Sequence, residues 1–344
     1  MKLGIVFGGA SFEHEISIVS TITVKSVLPY TPIFIFLDDA HNFYLIDEAD
    51  MHAKTFSSGA YKKMKHLSLS HGAFEVAGVF GNKKLDVSHV LNLVHGSDGE
   101  DGTLASIFDF FKIKYIGPRV EASMLSFNKV MTKAYADSIG VKTLPYEVLY
   151  RNSNHTVNTD FPMIVKPARL GSSIGVSIVK EKSELEYALD SAFEYDDTIL
   201  IEPFIAGVTE YNLAGCKTDK FNFSMVEEPQ KNEFLDFEKK YMDFSRTSAV
   251  SKADISASLE EDIKTTFEKI YDPLFLGSII RCDFFVVDGE VYLNEINPIP
   301  GSMAHYLFED FSSILSAVAS SLPKKENISS GYDYIHSISS AKGK

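Results

Sequence analysis

The sequence predicts an α/β (α+β) fold that opens with a parallel α/β domain and closes in antiparallel sheet. Three observations lead there. LGIVF (3–7) is an unbroken apolar run, Gly8-Gly9 interrupts it, and the helical pattern ISIVSTITVKSVL follows, the opening of a parallel α/β unit. FPMIVKPARLGSSIGVSIV reads as strand, glycine-serine loop, strand. RCDFFVVDGEVYLNEIN alternates apolar and polar residues around Asp288-Gly289, which marks a β-hairpin.

In chain order, PIFIFL (32–37) is the second strand, and residues 39–82 are a polar, mixed region of hairpins or loops. DVSHVLNLVHG (86–96) is a buried strand ending at His95-Gly96, GEDGTLASIFDFF turns into a helix, and KYIGP (114–118) closes the unit at a proline. One helical pattern, ASMLSFNKVMTKAYADSIG, then stops at Gly140. VKTLPYEVLY and the polar link RNSNHTVNTD lead to the glycine-serine unit. TILIEPFI (198–205) is another strand, and VTEYNLAGCKT opens a further block. Residues 226–258 are polar and irregular over a length that suits a mobile functional loop better than a packed element. EEDIKTTFEKIYDPL is a helix feeding the hairpin, and the tail after Pro323 is polar, frayed or lying on the surface.

At 344 residues the chain suits two or three domains, and 45% hydrophobic content describes a globular protein. No run reaches the ~18–20 apolar residues that span a bilayer, so no membrane role is expected. MKLGIVFGG is cut short by Gly8-Gly9 and reads as a first strand, not a secretory signal. A net charge of −14 argues against nucleic acid as a partner. Cys216 and Cys282, without CxxC spacing, read as buried thiols in a reducing cytoplasm.

The hairpin carries the sharpest chemical signal. A two-residue Asp288-Gly289 turn would leave Asp283 and Glu295 on opposite faces. A three-residue loop, Asp288-Gly289-Glu290, pairs Val287 with Val291 and gathers Arg281, Asp283, Glu295 and Asn297 on one face. Two carboxylates and an amide oxygen suit Mg²⁺, and an arginine beside them suits an anion or developing oxyanion. An ordinary hairpin with a solvated charged face would look the same. Lys166 ends an apolar strand five residues before GSSIG, where Ser172 and Ser173 could help cradle a phosphate, although most Gly-Ser turns are only hairpins. The spacing matches neither the Walker A nor the dinucleotide pattern. Lys129 reads alone as a solvated helix lysine, Glu202 as an adenine acceptor or an edge charge, and Glu210 as a ribose acceptor on thin grounds. Glu13 sits at the carboxyl end of a strand, where α/β proteins place ligand contacts, and also where an acid complements a helix dipole.

Taken together, GGASFEHEISIVS, LVHGSDGEDGT, FNKVMTK, FPMIVKPARLGSSIGVSIV, FEKKY and RCDFF with NEINPIPGS, in that order over almost the whole chain, resemble the D-alanine–D-alanine ligases of the ATP-grasp superfamily. The resemblance implies a three-domain ATP-grasp architecture: an N-terminal α/β substrate-binding domain (1–117), a central subdomain (118–207), a C-terminal subdomain with the metal site (208–326) and a polar tail (327–344). It implies a cytoplasmic homodimer that binds ATP between the latter two subdomains. Two molecules of D-alanine would be joined into the peptidoglycan dipeptide through an acyl phosphate, with ADP and phosphate released.

By motif, Asp283, Glu295 and Asn297 would hold two Mg²⁺ (or Mn²⁺) ions, and Lys129, Lys166 and the Gly171–Gly175 loop with Ser172 and Ser173 would contact phosphates. Glu202 and the backbone near Ile205 would meet adenine, Glu210 the ribose, and Lys240 the γ-phosphate. Glu13 would hold the first ammonium, linked through Ser172 to Tyr241; His95 would lie near the second D-alanine, and Arg281 with the Gly301 amide would form the oxyanion site. Tyr306, after His305, stands where the family often has a serine for the second substrate's carboxylate, and Asn128 where it usually has an acid. Two rivals remain: a D-alanine–D-lactate ligase, which Tyr241 disfavours, and a nucleotide-binding regulator without catalysis.

Overall fold

A computed structural model describes residues 2–153, 156–229, 250, 252–324 and 329–342. The first sheet has eight strands in the order β6-β5-β4-β3-β2-β1-β7-β8: β1 (Leu3–Gly8), β2 (Ile33–Leu37), β3 (Phe43–Ile46), β4 (Lys65–Ser70), β5 (Ala73–Val76), β6 (Lys83–Lys84), β7 (His89–Asn92) and β8 (Tyr115–Ile116). Strands β2, β1, β7 and β8 are parallel, as the strand–glycine–helix opening requires. The polar 39–82 region extends that sheet as an antiparallel meander. Strand β1 is buried along its whole length, which is why it reads as a continuous apolar run. At its end Gly8 and Gly9 take φ of +104° and +89°, and a Cβ on Gly8 would stand 2.1 Å from the Leu37 carbonyl oxygen. Only glycine fits there, and the chain turns directly into the helix His14–Val27.

The second sheet, β11-β10-β12-β9, is antiparallel and comprises β9 (Glu147–Tyr150), β10 (Met163–Pro167), β11 (Ser177–Val179) and β12 (Thr198–Pro203). The third, β14-β13-β15-β16, is also antiparallel: β13 (Thr209–Lys217), β14 (Phe221–Phe223), β15 (Ile280–Val287) and β16 (Glu290–Asn297). The helix Ala257–Tyr271 packs Ile263, Phe267 and Ile270, all fully buried, into the same core as Leu213, Cys282 and Phe284 of the third sheet. Burial of Phe284 contributes about 1.5–3 kcal/mol and anchors β15 by the face away from its charged residues.

Four expectations change. The helical pattern before Gly140 is two helices, Val120–Phe127 and Lys129–Ser138, because Asn128 leaves the helical region (φ −95°, ψ 107°) and its side chain caps the N–H groups of Val130 and Met131. Strand β7 ends at Asn92, so His95 lies in the loop beyond it. The tail contains an exposed helix, Asp333–Lys342.

The fourth is the hairpin register. The turn is the two-residue Asp288-Gly289, with φ of 52° and 80° and Val287 opposite Glu290, not the three-residue loop. A β-bulge then intervenes: Phe284 pairs with Leu293 but Asp283 with Glu295, leaving Asn294 as the extra residue. Arg281 therefore faces Asn297, and the expected four-residue cluster forms by a different route. Packing dictates the bulge. Leu293 and Ile296 are both buried although three positions apart, a spacing that a regular strand would send to opposite faces.

Candidate active site

A cavity of about 390 Å³ is lined from the loops of the first sheet and from the other two sheets. Every site residue expected from sequence that lies among the described residues borders it: Glu13, His95, Lys129, Lys166, Ser172, Ser173, Glu202, Ile205, Glu210, Arg281, Asp283, Glu295, Asn297, Gly301 and Tyr306. Lys240 and Tyr241 lie outside the described residues.

On the hairpin, Arg281 holds Asp283 in a bidentate pair, Nε to Oδ1 at 2.7 Å and Nη2 to Oδ2 at 2.9 Å. Asn297 Nδ2 donates to Asp283 Oδ2 at 3.0 Å. Burial pushes the Asp283 carboxyl above its ordinary range against the pull of Arg281. Glu295 approaches Lys129 Nζ at 4.0 Å, and Lys129 also donates to the Leu170 carbonyl at 2.6 Å. Among the described residues no three His, Cys, Asp or Glu side chains converge on a metal position. The oxygens of Asp283, Glu295 and Asn297 on one face fit a hard divalent cation that takes its remaining ligands from phosphate and water.

Glu13 is buried just before the helix His14–Val27, and Ser172 Oγ donates to its Oε1 at 2.5 Å. Its Oε2 is buried with no hydrogen-bond partner among the described residues. Burial first, then the nearby Glu100 carboxyl, raises the Glu13 carboxyl, while Ser172, His95 and Lys129 oppose the shift. Ser172 and Ser173 hold φ of 54° and 59°, strained for residues with a Cβ. The chain after Gly301 is strained likewise: Ser302, Met303 and Ala304 take φ of 48°, 57° and 49° in succession. Ser20 Oγ ties this turn to His95, lying 3.1 Å from the Ser302 N–H and 3.0 Å from His95 Nε2.

Lys166 and Lys133 both form ion pairs with Glu202, which is buried at the end of β12. Burial alone would raise Glu202, but Lys166 and Lys133 hold it below the usual carboxylate range. The carboxylate expected to meet adenine is thus already engaged by two ammoniums.

Sequence reasoning assigned no role to Glu100, Lys133, Asn212 or Glu227. Glu100, five residues after His95 in the glycine-rich GSDGEDG, borders the cavity, and its Oε1 lies 3.5 Å from His95 Nδ1. Burial pushes Glu100 up to about 8 and His95 down to about 4, so near neutral pH this is an uncharged acid–imidazole contact, not an ion pair. The helical spacing of Lys129 and Lys133 was the available signal for Lys133. Asn212, cross-strand from Asp283, donates to Glu227 Oε2 at 3.3 Å, and no local motif marks either.

The Glu100 shift gives a pH test. Its proton is held more tightly folded, at about 8, than at the ordinary 4.5, so the native chain binds more protons across that window and stability falls as pH rises through it. His95 acts in the opposite sense between about 4 and 6.5, which leaves the Glu100 effect clearest above that range. Urea midpoints measured between about pH 6.5 and pH 8 should drop for the wild type and flatten in Glu100→Gln. An equal drop in both would place the titration elsewhere.

Two antiparallel four-stranded sheets that close a charged cleft define the ATP-grasp class. The chain belongs to the D-alanine–D-alanine ligase family. The family model described as D-ala D-ala ligase N-terminus matches residues 2–118, and that described as D-ala D-ala ligase C-terminus matches 136–314. The D-alanine–D-alanine ligase of Sulfurovum sp. is 59% identical over 345 residues, with 100% of each chain covered, and that of Campylobacter lari is 56% identical with the same coverage. The crystal structure of D-alanine–D-alanine ligase from Helicobacter pylori is similar at a TM-score of 0.85 and 53% identity, covering 95% of this chain and 100% of that one. The Coxiella burnetii enzyme shares the fold at a TM-score of 0.75 and 23% identity, with 93% of each chain covered.

Proposed function

We propose that this chain is an ADP-forming ligase that joins two D-alanines into D-alanyl-D-alanine for peptidoglycan precursors, with ATP as the activating substrate. The observation that carries the reading is a Glu13 oxygen with no hydrogen-bond partner among the described residues, in the cleft that also holds Arg281 and the acidic hairpin. A buried carboxylate oxygen without a donor suits an amino acid's ammonium. With its ammonium on Glu13, the first D-alanine directs its carboxylate toward Arg281.

A carboxylate is a poor electrophile, so ATP first converts it to an acyl phosphate, with Lys129, Lys166 and the Ser172–Ser173 loop neutralising and orienting the phosphates. Asp283, Glu295 and Asn297 would hold Mg²⁺ or Mn²⁺, which supplies charge neutralisation on the phosphate oxygens. The second D-alanine, beside His95 and Tyr306, attacks the activated carbonyl through its free amine; as the C–N bond forms, the acyl C–O bond breaks, phosphate leaves, and the surplus amine proton passes to phosphate or water. Arg281 and the Gly301 amide, fixed by the strained turn after it, stabilise the oxyanion. Glu202 and Ile205 would face adenine and Glu210 the ribose; Lys240, expected at the γ-phosphate, and Tyr241, expected to link to Ser172, lie outside the described residues.

We further infer three units, 1–117, 118–207 and 208–326, each holding one sheet, with the tail helix in 327–344. No helix among the described residues is long and apolar enough to cross a membrane. The buried free thiols of Cys216 and Cys282 suit the cytoplasm, and light scattering would test the homodimer expected of this family.

Phosphate release is expected to depend on D-alanine, with the dipeptide as product. No D-alanine-dependent release would refute the ligase, and a preference for D-lactate would reassign its product. Gly171 adds a finer test, because a Cβ there would stand 2.8 Å from Glu13 Oε1. Gly171→Ala should displace the carboxylate from Ser172 and raise KM for D-alanine on the order of tenfold, with little change in melting temperature. An unchanged KM would remove Glu13 from the substrate site.

A further inference from the structure

Lys133 does not border the cavity, yet it shares one buried carboxylate with a lysine that does. Its side chain is 2% exposed, that of Glu202 4% and that of Lys166 9%. Lys133 Nζ also donates to the Leu144 carbonyl at 3.1 Å and lies 5.2 Å from the centroid of the Tyr146 ring, so backbone and ring hold it behind Glu202. Each Glu202 oxygen carries one ammonium, Oε1 that of Lys133 and Oε2 that of Lys166. Only Lys166 is placed to exchange this partner for a ligand in the cleft.

We propose that Lys133 is a positioning residue for nucleotide binding: it neutralises Glu202 from behind, so that Lys166 can leave that carboxylate and grip the phosphates of ATP. The inference rests on the assignment of Lys166 to the phosphates given above. Its logic is charge balance. With Lys133 present, departure of Lys166 leaves Glu202 paired. Without Lys133, the same departure strands a buried carboxylate, which is costly, so Glu202 and the phosphates compete for Lys166. The penalty falls on nucleotide binding alone, since neither Glu202 nor Lys133 touches the Glu13–Ser172 or Arg281–Asp283 clusters in the hydrogen bonds and ion pairs that define them.

The test is a double-mutant cycle on Lys133→Met and Glu202→Gln, with steady-state kinetics, ATP binding by calorimetry and a thermal melt of each variant. Lys133→Met is expected to raise KM and Kd for ATP roughly tenfold, while KM for D-alanine and kcat move by less than about threefold. In the E202Q background, where no carboxylate competes for Lys166, K133M should change KM for ATP by less than about threefold. An equal rise in both backgrounds, or a rise in both substrates' KM together, would show a general packing role and overturn the proposal. Unchanged ATP binding in K133M would overturn it too. If the unmodified chain failed to bind ATP, the nucleotide-site reading itself would fall, an outcome distinct from the others.

Discussion

Glu295→Gln is expected to lower kcat by about 10²- to 10³-fold, the scale on which loss of one transition-state charge contact is felt, while the melting temperature shifts by no more than about 2 °C. The two effects separate because Glu295 serves the cleft and not the core. Its side chain is 36% exposed and approaches Lys129 only at 4.0 Å, an ion pair of little stabilising value. Glutamine keeps the shape and the hydrogen-bonding oxygen but removes the charge that a cation bound to phosphates requires. Phosphate release at saturating D-alanine and ATP, set beside a thermal melt, reads both quantities. Near-normal turnover would take Glu295 out of the metal site.

Arg281→Met should fail on both counts. The guanidinium carries both hydrogen bonds of the bidentate pair to Asp283, whose side chain is 4% exposed, and its removal leaves that carboxylate leaning on the Asn297 amide. Breaking a buried pair from one side costs about 3–5 kcal/mol. Loss of the proposed oxyanion donor should independently lower kcat by about 10²- to 10³-fold. Urea unfolding gives the first and single-turnover kinetics on the folded fraction the second. A stable variant with normal turnover would contradict both roles. A stable but inactive variant would mean that Asp283 finds another partner and that Arg281 is purely catalytic.

Much of the fold could be read from local pattern. The parallel opening followed from LGIVF, two glycines and a helix, because a fully buried strand must be apolar throughout and the turn at Gly8 excludes a Cβ. The break at Asn128 escaped because helical periodicity continues across it; only the amide's ability to cap the next helix marks it. The hairpin shows the limit most clearly. Asp288-Gly289 is a strong two-residue turn signal, and a regular ladder from it would have separated Asp283 from Glu295. The bulge at Asn294 restores them to one face. Its trace in sequence is the odd spacing of Leu293 and Ile296, which becomes legible once both are known to be buried.

Among the site residues, those within motifs were identifiable by position, but their present partners were not. Glu202 was expected to meet adenine, and nothing in the motif showed that it also bridges two lysines from separate segments. Glu100 acquires its character from burial, which no spacing reveals. Tertiary placement decides such charges, and sequence supplies only the candidates.

A crystal structure with a non-hydrolysable ATP analogue and Mg²⁺ would show whether the acidic face of the hairpin holds metal against a triphosphate. Density for cations is expected between the triphosphate and the Asp283, Glu295 and Asn297 side chains, with Lys166 moved from Glu202 onto the phosphates. A nucleotide seated elsewhere, or cations bound away from that hairpin face, would contradict it.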